Sequence, residues 1–432
     1  MAVGSSGIRT LVVKFGGRTL CDGARIRENA AKIARIASTD RVVVVVSAMG
    51  DETSRLIGLA HEVTGGNPTA RDTVRVAAFG EMASATLFAA ALEAMGCPAR
   101  AILPTDEAWP VIASEAKEEA LSLEKVNEDR RLTIHEPESF ERLEAGIIPM
   151  LEKGITPVVC GFLARDPSGR LTTLGRGGSD TTAFLLGKLL GADEVVIVTD
   201  QEGVLNADPR AVARPGKVAV ISTDQLDTMA RSGALVLHPH SLEHKTPDMQ
   251  ARVVHFKSED ITQGGTLIEG FLRATLRSAS SPLALVSVVG EEAIEDAGLL
   301  SHLAASLDEA EISFHGLAVT PGYVGIFVPE ERAEEAYHRI HERLQAEASF
   351  KSLALRRNIA RVTISSPKFQ DQPGILAHIA KLLADQDINV IDLVTLQGDI
   401  SVYIDWADRE DVVRLLRRLA VSARLEEVIE GR

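Results

Sequence analysis

Five consecutive valines, 42–46, cannot form the solvent-facing strand of a one-sided sheet, because every second side chain would then point into water. The run demands cover on both faces. "TLVVKF", "ITPVVCGFL" and "DEVVIVTD" repeat this near-continuous apolar, β-branched character. Between them, "ARIRENAAKIARIAS" and "FGEMASATLFAAALEAMG" carry apolar residues at three- and four-residue spacing, and "DTTAFLLGKLLG" closes on a glycine suited to a helix end. Strand and helix in alternation predict an α/β fold with a mainly parallel sheet sandwiched by helices.

The chain is long enough, at 432 residues, for two or three domains. Segment 114–131, dense in Glu, Lys and Arg, reads as a solvated helix or mobile excursion rather than a binding surface. The small-residue stretch 278–282 reads as a linker. Beyond it, "LALVSVVG", a helix from about residue 297 to 307, "ISFHGLAV", "YVGIFV" and "EERAEEAYHRIHERLQ" give a βαββα unit. A second copy begins at "ARVTISSPKFQDQPGILAHIAKLL", so the tail is a duplicated small α/β module. The predicted domains are 1–277, 282–350 and 358–432, with strands open to exchange between the last two.

A net charge of −15 argues against a general nucleic-acid binder, which needs a basic face to neutralise phosphates. The longest uninterrupted apolar runs fall well short of the ~18 residues of a membrane span, and the N-terminus lacks a signal-peptide core, so no membrane partner and a cytoplasmic location are expected. Cys21, Cys97 and Cys160 are too scattered for a disulfide framework or a metal site and read as packing residues. No residue is assigned to a metal.

Three glycine-bearing stretches carry the chemistry. In "KFGG", a strand ends in Gly16 and Gly17, where backbone N–H groups can approach an anion beside the charge of Lys14. In "LGRGGSDTTAF", a glycine-rich turn feeds a helix N-terminus near Asp180, and Arg176 offers a bidentate partner for carboxylate or phosphate. In "VTDQEGVLNADPR", a strand ends at Thr199 and Asp200 and passes a turn at Gly203 on the way to Asp208 and Arg210. Neither a Walker A sequence nor a dinucleotide-binding glycine pattern follows the first strand.

These motifs, with "VVVVVSAMGDET", "FGEMAS" and "GALVLHP" in the same order, resemble the aspartate kinases of the amino-acid kinase superfamily, and the paired tail resembles their two ACT-type regulatory modules. The resemblance implies transfer of the γ-phosphoryl group of ATP, with Mg2+, to the side-chain carboxylate of L-aspartate, giving 4-phospho-L-aspartate. That is the first step towards lysine, threonine, methionine or other aspartate-derived products. It makes Lys14 the residue that stabilises the transferring phosphoryl group and Asp180 the residue that orients it. Arg176 matches the residue for the substrate α-carboxylate, Glu81 that for its ammonium, and Ser47 and Thr53 the hydroxyls near the reacting carboxylate. Without the resemblance Glu81 reads as a solvent-facing helix residue. The nucleotide is expected at Lys14, Gly16, Gly17, Thr199, Asp200, Leu205, Arg210, Leu235 and Val236. A homodimer or larger homo-oligomer is implied, with lysine or threonine as effectors.

The chain departs from the family pattern at three places. Arg18 follows KFGG where a small hydroxyl residue is usual, which places a large cation near the acceptor. Leu235 and Leu205 replace a lysine and an aromatic residue of the nucleotide site. "AEISFHG" replaces the Ile-Asn-Val-Asp pattern in the first tail module, whereas the second keeps "INVIDL" and a Pro373–Gly374 loop. Effector binding is therefore expected in the second copy, with dimerisation an equal alternative for the first. A same-fold kinase for another carboxylate-bearing amino acid and a catalytically silent amino-acid sensor remain as alternatives.

Overall fold

The computed structural model describes residues 7–115, 132–233, 237–290, 297–345, 350–367, 369, 373–419 and 425–430. They form two compact units, Met1–Leu272 and Arg273–Arg432.

In the first unit the order is β1 (Thr10–Phe15), α1 (Gly23–Ile36), β2 (Arg41–Val46), α2 (Glu52–Val63), α3 (Ala70–Glu93), β3 (Ala99–Ile102), β4 (Ala113–Glu115), β5 (Leu132–Ile134), α4 (Glu136–Glu152) and β6 (Thr156–Cys160). There follow β7 (Leu163–Arg165), β8 (Leu171–Thr173), α5 (Gly178–Leu190), β9 (Glu194–Thr199), β10 (Val220–Ser222), α6 (Thr223–Arg231), α7 (Pro239–Leu242), β11 (Gln250–His255) and β12 (Thr266–Glu269). Eight strands make one sheet in the order β10-β12-β11-β9-β1-β2-β6-β3, parallel throughout except for the β11–β12 pair. The valines of β2 are at most 1% exposed, as two-sided cover requires. The order switches direction at β1, and open α/β sheets bind ligands at the carboxyl ends of strands beside such a switch.

Helix α3 positions much of the site. By length and composition it would pass for a membrane span, but half of its apolar window is buried inside the protein. Phe88 is wholly buried, with its ring centroid 5.2 Å from that of Phe15 on β1. Of the three cysteines only Cys160 is buried. Cys21 is exposed and its Sγ donates to Asp22 Oδ2 at 3.4 Å, so it is not a packing residue. The charged segment 114–131 lies outside the described residues from 116 onward.

The second unit comprises β13 (Ala274–Ala279), β14 (Leu283–Gly290), α8 (Ala297–Glu309), β15 (Gly316–Thr320), β16 (Tyr323–Pro329), α9 (Ala333–Leu344), β17 (Phe350–Ser365), α10 (Ile375–Ala384), β18 (Val390–Leu396), β19 (Asp399–Asp405), α11 (Arg409–Leu419) and β20 (Leu425–Glu430). The duplicated βαββα order is present, but no linker separates the copies. The 16-residue β17 pairs with β14 along its first part and with β19 and β13 along its last, and Asn358 near the changeover adopts φ 59. Asn tolerates this left-handed conformation better than most residues. The proposed linker is corrected as well. Ser278 and Ala279 belong to β13, where Ser278 pairs with Val362 of β17 and Ile429 of β20. Both are under 9% exposed, so their small side chains fill a narrow interior gap. Each copy has its own core, one around Val286, Leu303 and Ile340 and the other around Val362, Ile379 and Val412.

The Phe15–Phe88 contact ties β1 to α3. Phe88→Ala should destabilise the protein by roughly 3–5 kcal/mol, as large-to-small changes in a close-packed core do. Urea unfolding checks this, and a loss under about 1 kcal/mol would mean that the cavity collapses freely.

Candidate active site

Strand β1 runs Leu11, Val12 and Val13, each fully buried, before Lys14, and its register sets Lys14 between Val45 of β2 and Ile197 of β9. The ammonium emerges at the carboxyl edge of the sheet. There Lys14 Nζ lies 2.5 Å from Asp180 Oδ1, with both side chains 12% exposed. Asp180 stands in the first turn of α5, where a negative charge meets the positive end of the helix dipole, and its N–H donates to Gly177 O at 2.9 Å. Packing dictates the glycines before it. Gly177 caps the helix at φ 67, and a Cβ there would overlap the His238 side chain. A Cβ on Gly17 would come 2.5 Å from the Ala48 carbonyl oxygen. Backbone segments from four elements can therefore close around one space.

That space is a cavity of about 400 Å³. It brings together Lys14, Gly17, Ser47, Thr53, Glu81, Arg176 and Asp180 from the sequence reading, and adds Phe162, Gly175 and Ser179. Ser47 follows β2, anchored by its N–H to Phe15 O at 3.1 Å, and Thr53 lies in the first turn of α2. Arg176 is exposed and has no carboxylate partner among the described residues, so its guanidinium is open to an anion. Glu81 is not the solvent-facing residue that its helix position suggests. It is 3% exposed on the inner side of α3, and one carboxylate oxygen has no hydrogen-bond partner. Burial pushes its carboxyl up to about 8, against the Ala48 backbone N–H and Lys14, which both pull it down. An incoming ammonium is the natural partner for that oxygen.

The residues expected at the nucleotide fall outside this cavity lining, apart from Lys14 and Gly17. Gly16 does not offer its N–H to an anion, because it donates to Val198 O at 3.2 Å and prolongs the β1–β9 pairing. Thr199 and Asp200 end β9 beside β1, as expected. Arg18 does not enter the acceptor cavity. Its Nη1 lies 3.1 Å from Asp200 Oδ2, so the cation is held over the neighbouring strand end. Leu205 bridges to Lys217 at the base of the following loop, while Arg210 is exposed and pairs with Asp208 at 2.7 Å. Leu235 and Val236 lie outside the described residues. Sequence reasoning missed Thr266. Its buried hydroxyl accepts from Val204 N at 2.8 Å and donates to Val218 O at 2.5 Å, fixing both ends of the Leu205 loop. The Gly264–Gly265 pair just before β12 was the available signal.

A lysine paired with an aspartate, an exposed guanidinium and a buried carboxyl thus line one cavity at the carboxyl edge of a parallel sheet. Residues 9–255 match the sequence profile of the Amino acid kinase family, and residues 354–418 that of the ACT domain. The chain belongs to the amino acid kinase family. It is 30% identical over 420 residues to the aspartokinase of Thermus thermophilus, covering 94% of this chain and 98% of that protein. The crystal structure of aspartate kinase from Synechocystis matches with a TM-score of 0.73 at 24% identity, over 98% of this chain and 71% of that one. E. coli aspartokinase III in complex with aspartate and ADP matches with a TM-score of 0.53 at 20% identity, over 94% and 99%. The same enzyme in complex with lysine and aspartate gives 0.50 at 21%, over 95% and 99%.

Glu81 makes a testable mark on stability. Its carboxyl titrates near 8 when folded against 4.5 in the reference state, so the folded protein holds the extra proton between these values. Its contribution is fully present below pH ~4.5 and is lost as pH rises towards ~8. Glu81→Gln should therefore gain stability relative to the parent between pH 5 and pH 8, measured by urea unfolding at both. An identical difference at the two pH values would show that Glu81 does not titrate in this window.

Proposed function

We propose that the protein is an ATP-dependent aspartate kinase that transfers the γ-phosphoryl group of MgATP to the side-chain carboxylate of L-aspartate. The observation that carries this reading is the Lys14–Asp180 pair set in one cavity with Glu81 and Arg176, in a chain related along nearly its whole length to an aspartokinase. An aspartate carboxylate, with an ordinary pKa of ~3.9, is already ionised at neutral pH and needs no general base. Catalysis then rests on placement and charge. Arg176 grips the α-carboxylate and Glu81 the ammonium, while Ser47 and Thr53 donate hydroxyls near the reacting oxygen. Lys14 stabilises the phosphoryl group in flight, and Asp180 holds Lys14 on line until it arrives. The nucleotide lies towards Thr199, Asp200, Leu205, Arg210, Leu235 and Val236.

Mg2+ enters with ATP as part of the substrate. Its preference for phosphate oxygens and water makes a dedicated protein cage unnecessary. Arg18 gives no reason to look beyond aspartate for the acceptor, because its cation faces Asp200 and does not line the acceptor cavity. An amino-acid effector acts at the ACT modules, with lysine and threonine the first to try, in a cytoplasmic homodimer or larger assembly.

Two substitutions test the assignments. Lys14→Ala should cut kcat by orders of magnitude in a folded protein, since one preorganised electrostatic group is worth ~3–4 kcal/mol in the transition state. A hydroxamate assay run across acidic amino acids measures turnover and acceptor choice together, and near-normal turnover would refute the role. Arg176→Ala should raise KM for aspartate far more than KM for ATP, because only the acceptor loses a charge-assisted bond. Equal rises would place Arg176 on the phosphates.

A further inference from the structure

We propose that Arg18 is a phosphate-gripping residue of the nucleotide site, held in reserve on Asp200 until MgATP arrives; this rests on the ATP-dependent reading above. Arg18 follows directly on Gly17, which lines the cavity beside Lys14, and belongs to the short turn Gly17–Leu20. Its guanidinium reaches Asp200 at the end of β9, so it lies across the carboxyl ends of two adjacent central strands. Ligands of parallel sheets are bound at such ends.

The local charges leave a vacancy for this role. Lys14 is balanced by Asp180, and in the reading above Arg176 serves the acceptor carboxylate. A polyphosphate approaching a protein of net charge −15 needs more positive charge than one paired lysine and Arg210, itself paired with Asp208, supply. Arg18 is 78% exposed at its side chain, and its one ion pair among the described residues is with Asp200, itself 36% exposed. An ion pair so open to water is easily exchanged. A phosphate oxygen offers the same fork of donors a more highly charged partner. The exchange also frees the Asp200 carboxylate. The neighbouring Thr19 cannot substitute, because its hydroxyl is buried and donates to Gly16 O at 2.7 Å.

The test compares full-length parent, Arg18→Ala and Arg18→Lys for binding of MgATP and of adenosine by calorimetry, alongside KM for both substrates. Arg18→Ala is expected to weaken MgATP about tenfold or more, the scale of one charge-assisted contact, with adenosine binding and KM for aspartate changed less than about twofold. Arg18→Lys, which keeps the charge but loses the fork, is expected to recover only part of the MgATP affinity, and added salt to narrow the gap between parent and Arg18→Ala. Unchanged MgATP binding in Arg18→Ala would overturn the proposal, as would equal weakening of MgATP and adenosine, which would mean that the turn is merely distorted. A rise confined to KM for aspartate would overturn it in favour of an acceptor contact. Failure of the parent itself to bind MgATP would reject the ATP-dependent reading first and this role with it.

Discussion

The Lys14–Asp180 contact is the point on which the first unit converges. Taking two charges out of water costs more than their attraction returns unless the surroundings are well made. A buried ion pair therefore needs a stiff frame, and the frame here is the middle of an eight-stranded sheet and the first turn of a helix buried along most of its length. The strand fixes the lysine backbone on both sides through its two parallel neighbours. The helix dipole supports the aspartate. Each partner keeps the other soluble in a poorly hydrated place, and neither side chain is anchored by a loop alone.

Close approach of backbone to backbone supplies the rest of that frame. Gly161 has no room for a Cβ against Ser179, and Gly178 has little against Leu174 and Phe162, so α5 is drawn tightly onto the turn that follows β6. His238 seals the opposite side by occupying the space that Gly177 leaves open. The glycines in the GRGG turn are thus as much a packing requirement as an anion-binding one. Glu81 completes the picture from α3, a carboxyl that burial pushes up to about 8.

Much of this was legible in the sequence. Continuous valine runs announced a doubly covered parallel sheet, and the lysine and glycine motifs named residues that converge on one cavity. The side chains that escaped did so for physical reasons. Burial of Glu81 could have been read from Ala77, Ala78, Ser84, Ala85 and Phe88, which share its helix face at three- and four-residue spacing, but small residues give a weak amphipathic signal. The direction in which Arg18 points depends on Asp200, distant in sequence, and no local pattern encodes that. The stretch 278–282 misled because Ser and Ala suit both a linker and a cramped interior strand. Beside Arg18, the Thr19 hydroxyl turns inward and donates to Gly16 O.

Strand β17 bears on how the tail can behave. Two modules strung on a flexible tether could each respond to a ligand privately, like two switches on separate circuits. Here the closing strand of one copy is the opening strand of the next, a single uninterrupted run from Phe350 to Ser365. Its backbone is hydrogen-bonded into both copies at once, and β13, paired with it, carries the same sheet on to β20. The duplication is therefore one continuous sheet, not two beads on a string.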